Sequence, residues 1–295
     1  MHSDAAVWMQ VRDFSKHFGG ARALAEVDID IYRGEVHGLV GANGAGKSTL
    51  LRALAGVITP DNGTVTIDGV ETRIATPRDA EQAGLAFIHQ ELNLVPHFSS
   101  VQNILLGAPK AKRLGMVDWK KSRRVAYEAA ERIGVHFSLE RRVDELSVAE
   151  RWLVMISKAL AREATMIAMD EPTASLSDVE CAQLFTVVRD LAADGVGILY
   201  VSHRLDEVLD LSDRITVFRD GRVTETAVRG DLDKHGLIRA IVGHDVAATA
   251  RPQRAIIDRT ASPIFEARNV TRGRAVKDVS FQLFCGEGLG LGGVI

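Results

Sequence analysis

Cysteine is scarce: only Cys181 and Cys285 occur, far apart and outside any CxxC pair. That usage argues against a disulfide framework and fits a reducing compartment. Long apolar runs are also missing. No window approaches the roughly 18–20 unbroken apolar residues of a membrane-spanning helix. The opening "MHSDAAVWMQ" lacks the basic-then-apolar order of a secretory signal. Nor is there an excess of positive charge. With 36 Lys and Arg against 39 Asp and Glu, the net charge of −3 gives no support to a broad nucleic-acid footprint. Any work at a membrane therefore calls for a separate membrane subunit. What is present is an ordinary globular composition over 295 residues, enough for one large α/β domain or two smaller ones.

Residues 7–11, 27–32 and 64–68 alternate or run apolar, with β-branched side chains, and "PDNGT" at 60–64 is a turn signal. They read as short antiparallel strands. Residues 36–40 form an apolar run leading into a glycine loop, with a helix expected from Lys47. Later apolar runs end at Asp170, His203 and Asp220, and a helical pattern, "DVECAQLFTVVRDLAADG", lies between the first two. Strands alternating with helices argue a parallel sheet with crossovers. Residues from about 88 to 160 interrupt the alternation with helical patterns and read as a helical insertion, with Asp118 as a helix N-cap. From 245 to 262 the aperiodic Ala, Arg, Pro and Thr composition reads as a linker.

"GANGAGKST" fits G-x-x-x-x-G-K-[ST]. The glycines let successive backbone N–H groups turn toward one concave point. The following helix adds its free amides and the positive end of its dipole. Gly41, Ala42, Asn43, Gly44, Ala45, Gly46, Lys47, Ser48 and Thr49 are thus candidate binders of a nucleotide phosphate chain. Lys47 supplies a point charge for the β- and γ-phosphates, and the Ser48 hydroxyl can ligate Mg²⁺.

In "MIAMDEPTASL", Asp170 and Glu171 close an apolar strand. Adjacent strand residues point to opposite sides, so the two carboxylates can divide their work. Asp170 would hold Mg²⁺, and Glu171 would act as general base on the attacking water. A helix N-cap followed by a first-turn acid would give the same pair. His203 ends the next apolar strand, where α/β ligands bind. There it would contact the γ-phosphate and orient the water, or simply cap the next helix. The remaining histidines show no metal-ligand spacing.

The chain also repeats itself. "ALAEVDIDIYRGEVHGLVG" from Ala23 aligns without gaps with "AVKDVSFQLFCGEGLGLGG" from Ala275, at a constant offset of 252 residues (Gly34 to Gly286). At that offset Gly41 meets Gly293, so the ending reads as the strand entering a second phosphate loop. The segment from Pro263 is shorter than the ~40 residues that support an independent core. It is expected to dock, to pair with a partner or to stay disordered.

Taken together, "GANGAGKST", "HQELNLVPHFSSVQNILLG", "LSVAERWLVMISKAL", "MIAMDEPTASLS" and "ILYVSHRLDEV" resemble, in order and spacing, the ATP-binding cassette (ABC) ATPases. "QELNLVP", "DEPTASL", "SHRLDEV" and "RDGR" are similar to the tandem ATP-binding subunits of bacterial carbohydrate importers of the ribose, xylose and galactose type. The resemblance implies an α/β P-loop NTPase fold with a parallel-sheet core, an N-terminal antiparallel β subdomain and a helical insertion. It implies a complete cassette over 1–244, the linker, and a truncated second cassette over 263–295. It further implies that Phe18 in "HFGG" stacks on adenine, although its spacing equally suits a core phenylalanine. Gln90 would reach Mg²⁺ and the water, and the loop from Glu91 to Pro96 would lie near the membrane subunit. Ser147, Val148, Ala149 and Glu150 would occupy the signature motif facing the γ-phosphate of an opposite cassette. Ala174 to Ser177 would line the dimer seam. The family's usual LSGGQ reads "LSVAE" here, which puts a Cβ near a polyanion, and a carboxylate as well unless Glu150 points away. The second repeat lacks "HFGG", and with it an adenine-stacking candidate.

The expected function is ATP binding and hydrolysis, with ATP and Mg²⁺, that energises sugar import from the cytoplasmic face of the membrane. Expected partners are permease subunits, a facing cassette and, indirectly, a sugar-binding protein, with no nucleic acid. Two alternatives stay open. One is a soluble ABC ATPase acting on ribosomes or nucleic acid, suggested by "PKAKR" and "KKSRR". The other is a nucleotide-binding fragment without hydrolysis.

Overall fold

A computed structural model describes residues 7–89, 91–108, 112–113, 116–243, 259–273 and 276–290. The chain divides into two compact units, Met1–Asp245 and Val246–Ile295.

The first unit begins with β1 (Val7–Phe18), β2 (Ala21–Tyr32), β3 (Val36–Gly41), α1 (Lys47–Leu54), β4 (Asn62–Ile67), β5 (Val70–Glu71), α2 (Pro77–Gln82) and β6 (Leu85–Ile88). It continues with α3 (Ser100–Leu105), β7 (Lys112–Arg113), β8 (Met116–Val117), α4 (Trp119–Arg132) and α5 (Val148–Leu160). It closes with β9 (Met166–Asp170), α6 (Asp178–Ala193), β10 (Gly197–Val201), α7 (Leu205–Leu211), β11 (Arg214–Arg219), β12 (Arg222–Val228) and α8 (Lys234–Val242).

The central sheet runs β12-β11-β3-β10-β9-β6, and the antiparallel sheet runs β2-β1-β4-β5. Neighbours in the central sheet are parallel except β11 and β12. Strands β3, β9 and β10 are almost wholly buried, as expected of parallel strands covered on both faces. Their alternation divides two cores. Val40, Ile167, Met169, Ile198 and Tyr200 pack with α5 and α6 on one face. Leu39, Ala168, Leu199 and Val201 pack with α1 and the antiparallel sheet on the other.

Between β6 and β9 lies the insertion, where α3, α4 and α5 close a third core around Val101, Ile104, Ala126, Ala130 and Val154. Asp118 caps α4 as expected, accepting from the Lys121 N–H at 3.0 Å. The insertion is not purely helical, because β7 and β8 pair within it. Two short helices carry cap chemistry that periodicity does not reveal. Thr76 and Asp79 form a capping box around Pro77 at the start of α2. Asp233 caps α8, which Gly243 ends in a left-handed conformation.

In the second unit, β13 (Phe265–Arg272) and β14 (Val276–Leu283) form an antiparallel hairpin. It repeats the irregularities of β1 and β2. Pairs Val11–Ile29, Phe14–Val27 and Lys16–Leu24 correspond to Ala267–Phe281, Val270–Val279 and Arg272–Val276. Asp13 and Glu26 hold left-handed backbones, as do Asn269 and Asp278. The Glu26 N–H donates to Ser15 Oγ at 3.0 Å and the Asp278 N–H to Thr271 Oγ1 at 3.1 Å. The Asp13 N–H finds Asp28 Oδ1, and the Asn269 N–H finds Ser280 Oγ. The first strands are offset by 256 residues (Phe14 to Val270) and the second by 252 (Val27 to Val279). The turn is therefore shorter by the length of "HFGG". Gly293 lies outside the described residues.

Candidate functional site

Three strand ends converge because β10 sits between β3 and β9 in a parallel arrangement. β3 delivers the glycine loop, β9 delivers Asp170 and Glu171, and β10 leads to His203. Asn43 to Thr49, Asp170, Glu171 and His203 line one open cleft of about 470 Å³. This is the carboxyl edge of the strands, where ligands of α/β sheets sit. His203 is not at a strand end, because β10 stops at Val201. Ser202 turns the chain there by accepting the Arg204 N–H at 3.0 Å, and the histidine stands in the loop before α7.

The loop is held by packing on its outer side. Gly41 has φ 152°, and a Cβ there would meet the Phe218 carbonyl oxygen at 2.3 Å. Gly46, at φ 110°, would place one 2.7 Å from the Ala23 carbonyl. Gly46 also occupies the N-cap of α1 with no side chain to cover the first amides, which leaves them free for an anion. Gly41→Ala is expected to destabilise the fold by about 3 kcal/mol through overpacking. A thermal scan showing an unchanged melting temperature would refute this.

Lys47 is buried, and its Nζ donates to the carbonyls of Gly41 at 2.7 Å and Ala42 at 3.1 Å. These two residues do not line the cleft themselves and reach it through Lys47. Burial pushes the Lys47 ammonium below its usual range, while Glu171 and Asp170 pull the other way. Burial likewise raises the Asp170 carboxyl, opposed by His89, Lys47 and Arg52. His89 is a site neighbour that the sequence reading missed, although it stands beside Gln90 in "HQE". Gln90 itself lies outside the described residues.

Glu171 departs from the strand geometry expected of it. Its φ is 53°, so a left-handed turn, rather than the pleat of β9, separates it from Asp170. Its N–H bonds the Val201 carbonyl at 2.9 Å. Its Oε2 stands 2.5 Å from His203 Nδ1. Carboxylate and imidazole form a pair inside the cleft.

The remaining candidates lie outside this cleft. Phe18 is no core residue: it ends β1 half exposed, with the Lys16 ammonium 5.6 Å from its ring centroid. Asp61 fixes this corner, accepting from Lys16 Nζ at 2.8 Å and from the His17 N–H at 2.7 Å. Chiefly through the Lys16 contact, the Asp61 carboxyl is held down at about 2. Ser147 caps α5, and Glu150 folds back onto it in a capping box, Oε2 accepting from the Ser147 N–H at 2.8 Å. Arg141 holds the other Glu150 oxygen at 3.0 Å. The carboxylate is thus engaged within its own domain. Ser177 caps α6, accepting from the Glu180 N–H.

The sequence profile of the ABC transporter family matches residues 24–174, half the chain, including the glycine loop and both carboxylates. The chain belongs to the ABC transporter family. Curated relatives align along nearly all of it. A ribose import ATP-binding protein of Bacillus licheniformis is 39% identical over 287 residues, covering 97% of this chain and 58% of that protein. A putative ribose/galactose/methyl galactoside import ATP-binding protein of Agrobacterium fabrum is 41% identical over 298 residues, covering 99% and 57% respectively. The chain thus spans little more than half the length of these relatives. Among solved structures, the ADP conformation of an ATP-binding cassette of an ABC transporter superimposes with TM-score 0.71 at 25% identity, over 81% of this chain and 100% of that one. A nucleotide-free ATP-binding cassette from an ABC transporter gives 0.70 at 25%, over 81% and 96%. The α/β cassette fold, with its antiparallel β subdomain and helices, is therefore that of the family.

Proposed function

We propose that this chain binds and hydrolyses ATP to energise sugar import through a separate membrane permease, from the cytoplasmic face. The observation that carries this is the single cleft in which the glycine loop and the start of α1 meet the Glu171–His203 pair. The sugar-import names of the relatives support the substrate class.

In this reading the amides of residues 43–49 cradle the phosphates, and Lys47 exchanges its two carbonyl partners for β- and γ-phosphate oxygens. Glu171, steadied by His203, accepts the proton of the attacking water, and His203 contacts the γ-phosphate. Phe18 offers an exposed aromatic face to adenine. No group of three or more His, Cys, Asp and Glu side chains that could hold a metal occurs among the described residues. A hydroxyl with one carboxylate suits Mg²⁺, which keeps water and phosphate oxygens as its other ligands. Ser48, Asp170 and Gln90 would hold it. Bound there, Mg²⁺ would neutralise charge on the β- and γ-oxygens.

The same reading assigns 1–244 to one cassette, 245–262 to a linker and 263–295 to the start of a second. The matched registers of the two hairpins support it. Ser147 to Glu150 would then meet nucleotide held by a facing cassette, from a second half or a second chain. For the permease, a groove lined by Val57, Glu81, Phe87, His89, Asn93 and Lys158 adjoins the loop after Gln90. Within the basic run at 120–124, Arg123 pairs with Glu140 and Arg124 with Glu128, while 109–111 of "PKAKR" lie outside the described residues.

Mg-ATP is expected to raise the melting temperature of the chain, by mass action. Hydrolysis per mole is expected to climb with protein concentration, because closure needs a facing cassette. Turnover strictly proportional to enzyme from nanomolar upward would contradict the two-cassette site. An unchanged melting temperature with no bound nucleotide would remove the proposal altogether.

A further inference from the structure

A buried carboxylate that the mechanism does not use is bonded to residues close in the chain to both Glu171 and His203. Glu207, on α7, is 7% exposed. Its Oε2 accepts from Thr173 Oγ1 at 2.6 Å and from the Tyr200 hydroxyl at 2.9 Å, with Ser202 Oγ at 3.5 Å. Arg204 Nη1 stands 2.5 Å from the other oxygen, as an ion pair rather than an aligned hydrogen bond.

The chain positions of these partners are informative. Thr173 lies two residues after Glu171, in the loop between β9 and α6. Ser202 immediately precedes His203. Tyr200 belongs to β10, the strand between β3 and β9. One oxygen therefore ties the segments that carry both members of the pair to a rigid strand. Thr173, Ser202 and Tyr200 are themselves buried, and a buried carboxylate persists only when it is partnered in this way. The left-handed backbone at Glu171 needs an outside restraint of this kind.

We infer that Glu207 is a positioning residue, which sets the Glu171–His203 geometry by tying Thr173 and Ser202 to β10. The inference rests on the proposed ATP hydrolysis for its kinetic arm only. Glu207 does not line the cleft and acts through the segments it ties. It governs how often Glu171 stands where a water can reach it.

The test uses the full chain. Thr173→Val keeps the shape and removes the hydroxyl, and Thr173→Ser keeps the hydroxyl. In the nucleotide-free protein, Thr173→Val is expected to speed hydrogen exchange of the 171–177 amides by about tenfold. It should lower kcat for Mg-ATP by ~10- to 100-fold, as a small misplacement of a catalytic group does. The Kd for Mg-ATP should stay within about twofold, since no phosphate contact is touched. Thr173→Ser should restore both readouts. Val188→Ala, a core truncation in α6, should lower the melting temperature while leaving loop protection and kcat intact. Glu207→Gln should behave like Thr173→Val; if it does not fold, the Thr173 pair decides alone. The inference fails if Thr173→Val leaves loop exchange unchanged, or if Val188→Ala at a matched loss of melting temperature reproduces its effects. If the unsubstituted protein shows no ATP turnover, the proposed function falls. The exchange measurement still decides the role of Glu207.

Discussion

Lys47→Ala is expected to weaken Mg-ATP binding by roughly 30- to 150-fold, and hydrolysis should disappear with it. Lys47 Nζ already sits among loop carbonyls rather than in solvent, so its desolvation is largely complete before a ligand arrives. Exchanging two neutral carbonyl acceptors for charged phosphate oxygens gains charge-assisted hydrogen bonds worth about 2–3 kcal/mol, and that range sets the expected loss in affinity. Stability should respond less. The truncation strands two carbonyls but also removes a cation that burial destabilises. Calorimetric titration and a thermal scan on the same protein separate the effects. An unaltered Kd would show that the cleft does not use Lys47.

Glu171→Gln is expected to lower kcat by ~10²- to 10⁴-fold, the usual worth of a general base. Nucleotide affinity should be retained. Glutamine keeps the length of the side chain and a hydrogen bond toward His203, so the loop geometry survives while the proton acceptor is lost. Phosphate release, measured beside equilibrium binding, reads the two apart. Bound nucleotide without phosphate release in both the unsubstituted and the substituted chain would instead identify a non-hydrolysing protein.

The parts of the site that were legible in the sequence are those whose chemistry is local. The glycine spacing and Lys47 specify a backbone shape within nine residues, and the structure places Asn43 to Thr49 in the cleft. Apolar runs ending in Asp170 and near His203 were legible because buried parallel strands tolerate little else. What escaped depends on the tertiary fold. A left-handed φ at a glutamate has no sequence signature, and the apolar run before Glu171 points only to the next residue on a pleat. Glu207 looks like an ordinary helix charge in "SHRLDEV" until Thr173 is brought from 34 residues away. The S-x-x-E pattern at Ser147 and Glu150 was visible as a capping box. Sequence alone leaves open whether that carboxylate faces a polyanion or points away, and the structure turns it toward Arg141.

The glycine loop is moulded from behind by Phe218 and Ala23, and its Ala45 carbonyl accepts the Gly221 N–H at 2.9 Å. Its shape is therefore settled when the sheet folds, before any ligand is present. Association then involves no coupled folding of the loop and little new apolar burial, so its heat-capacity change should be small. The binding enthalpy of a triphosphate should accordingly vary only gently with temperature.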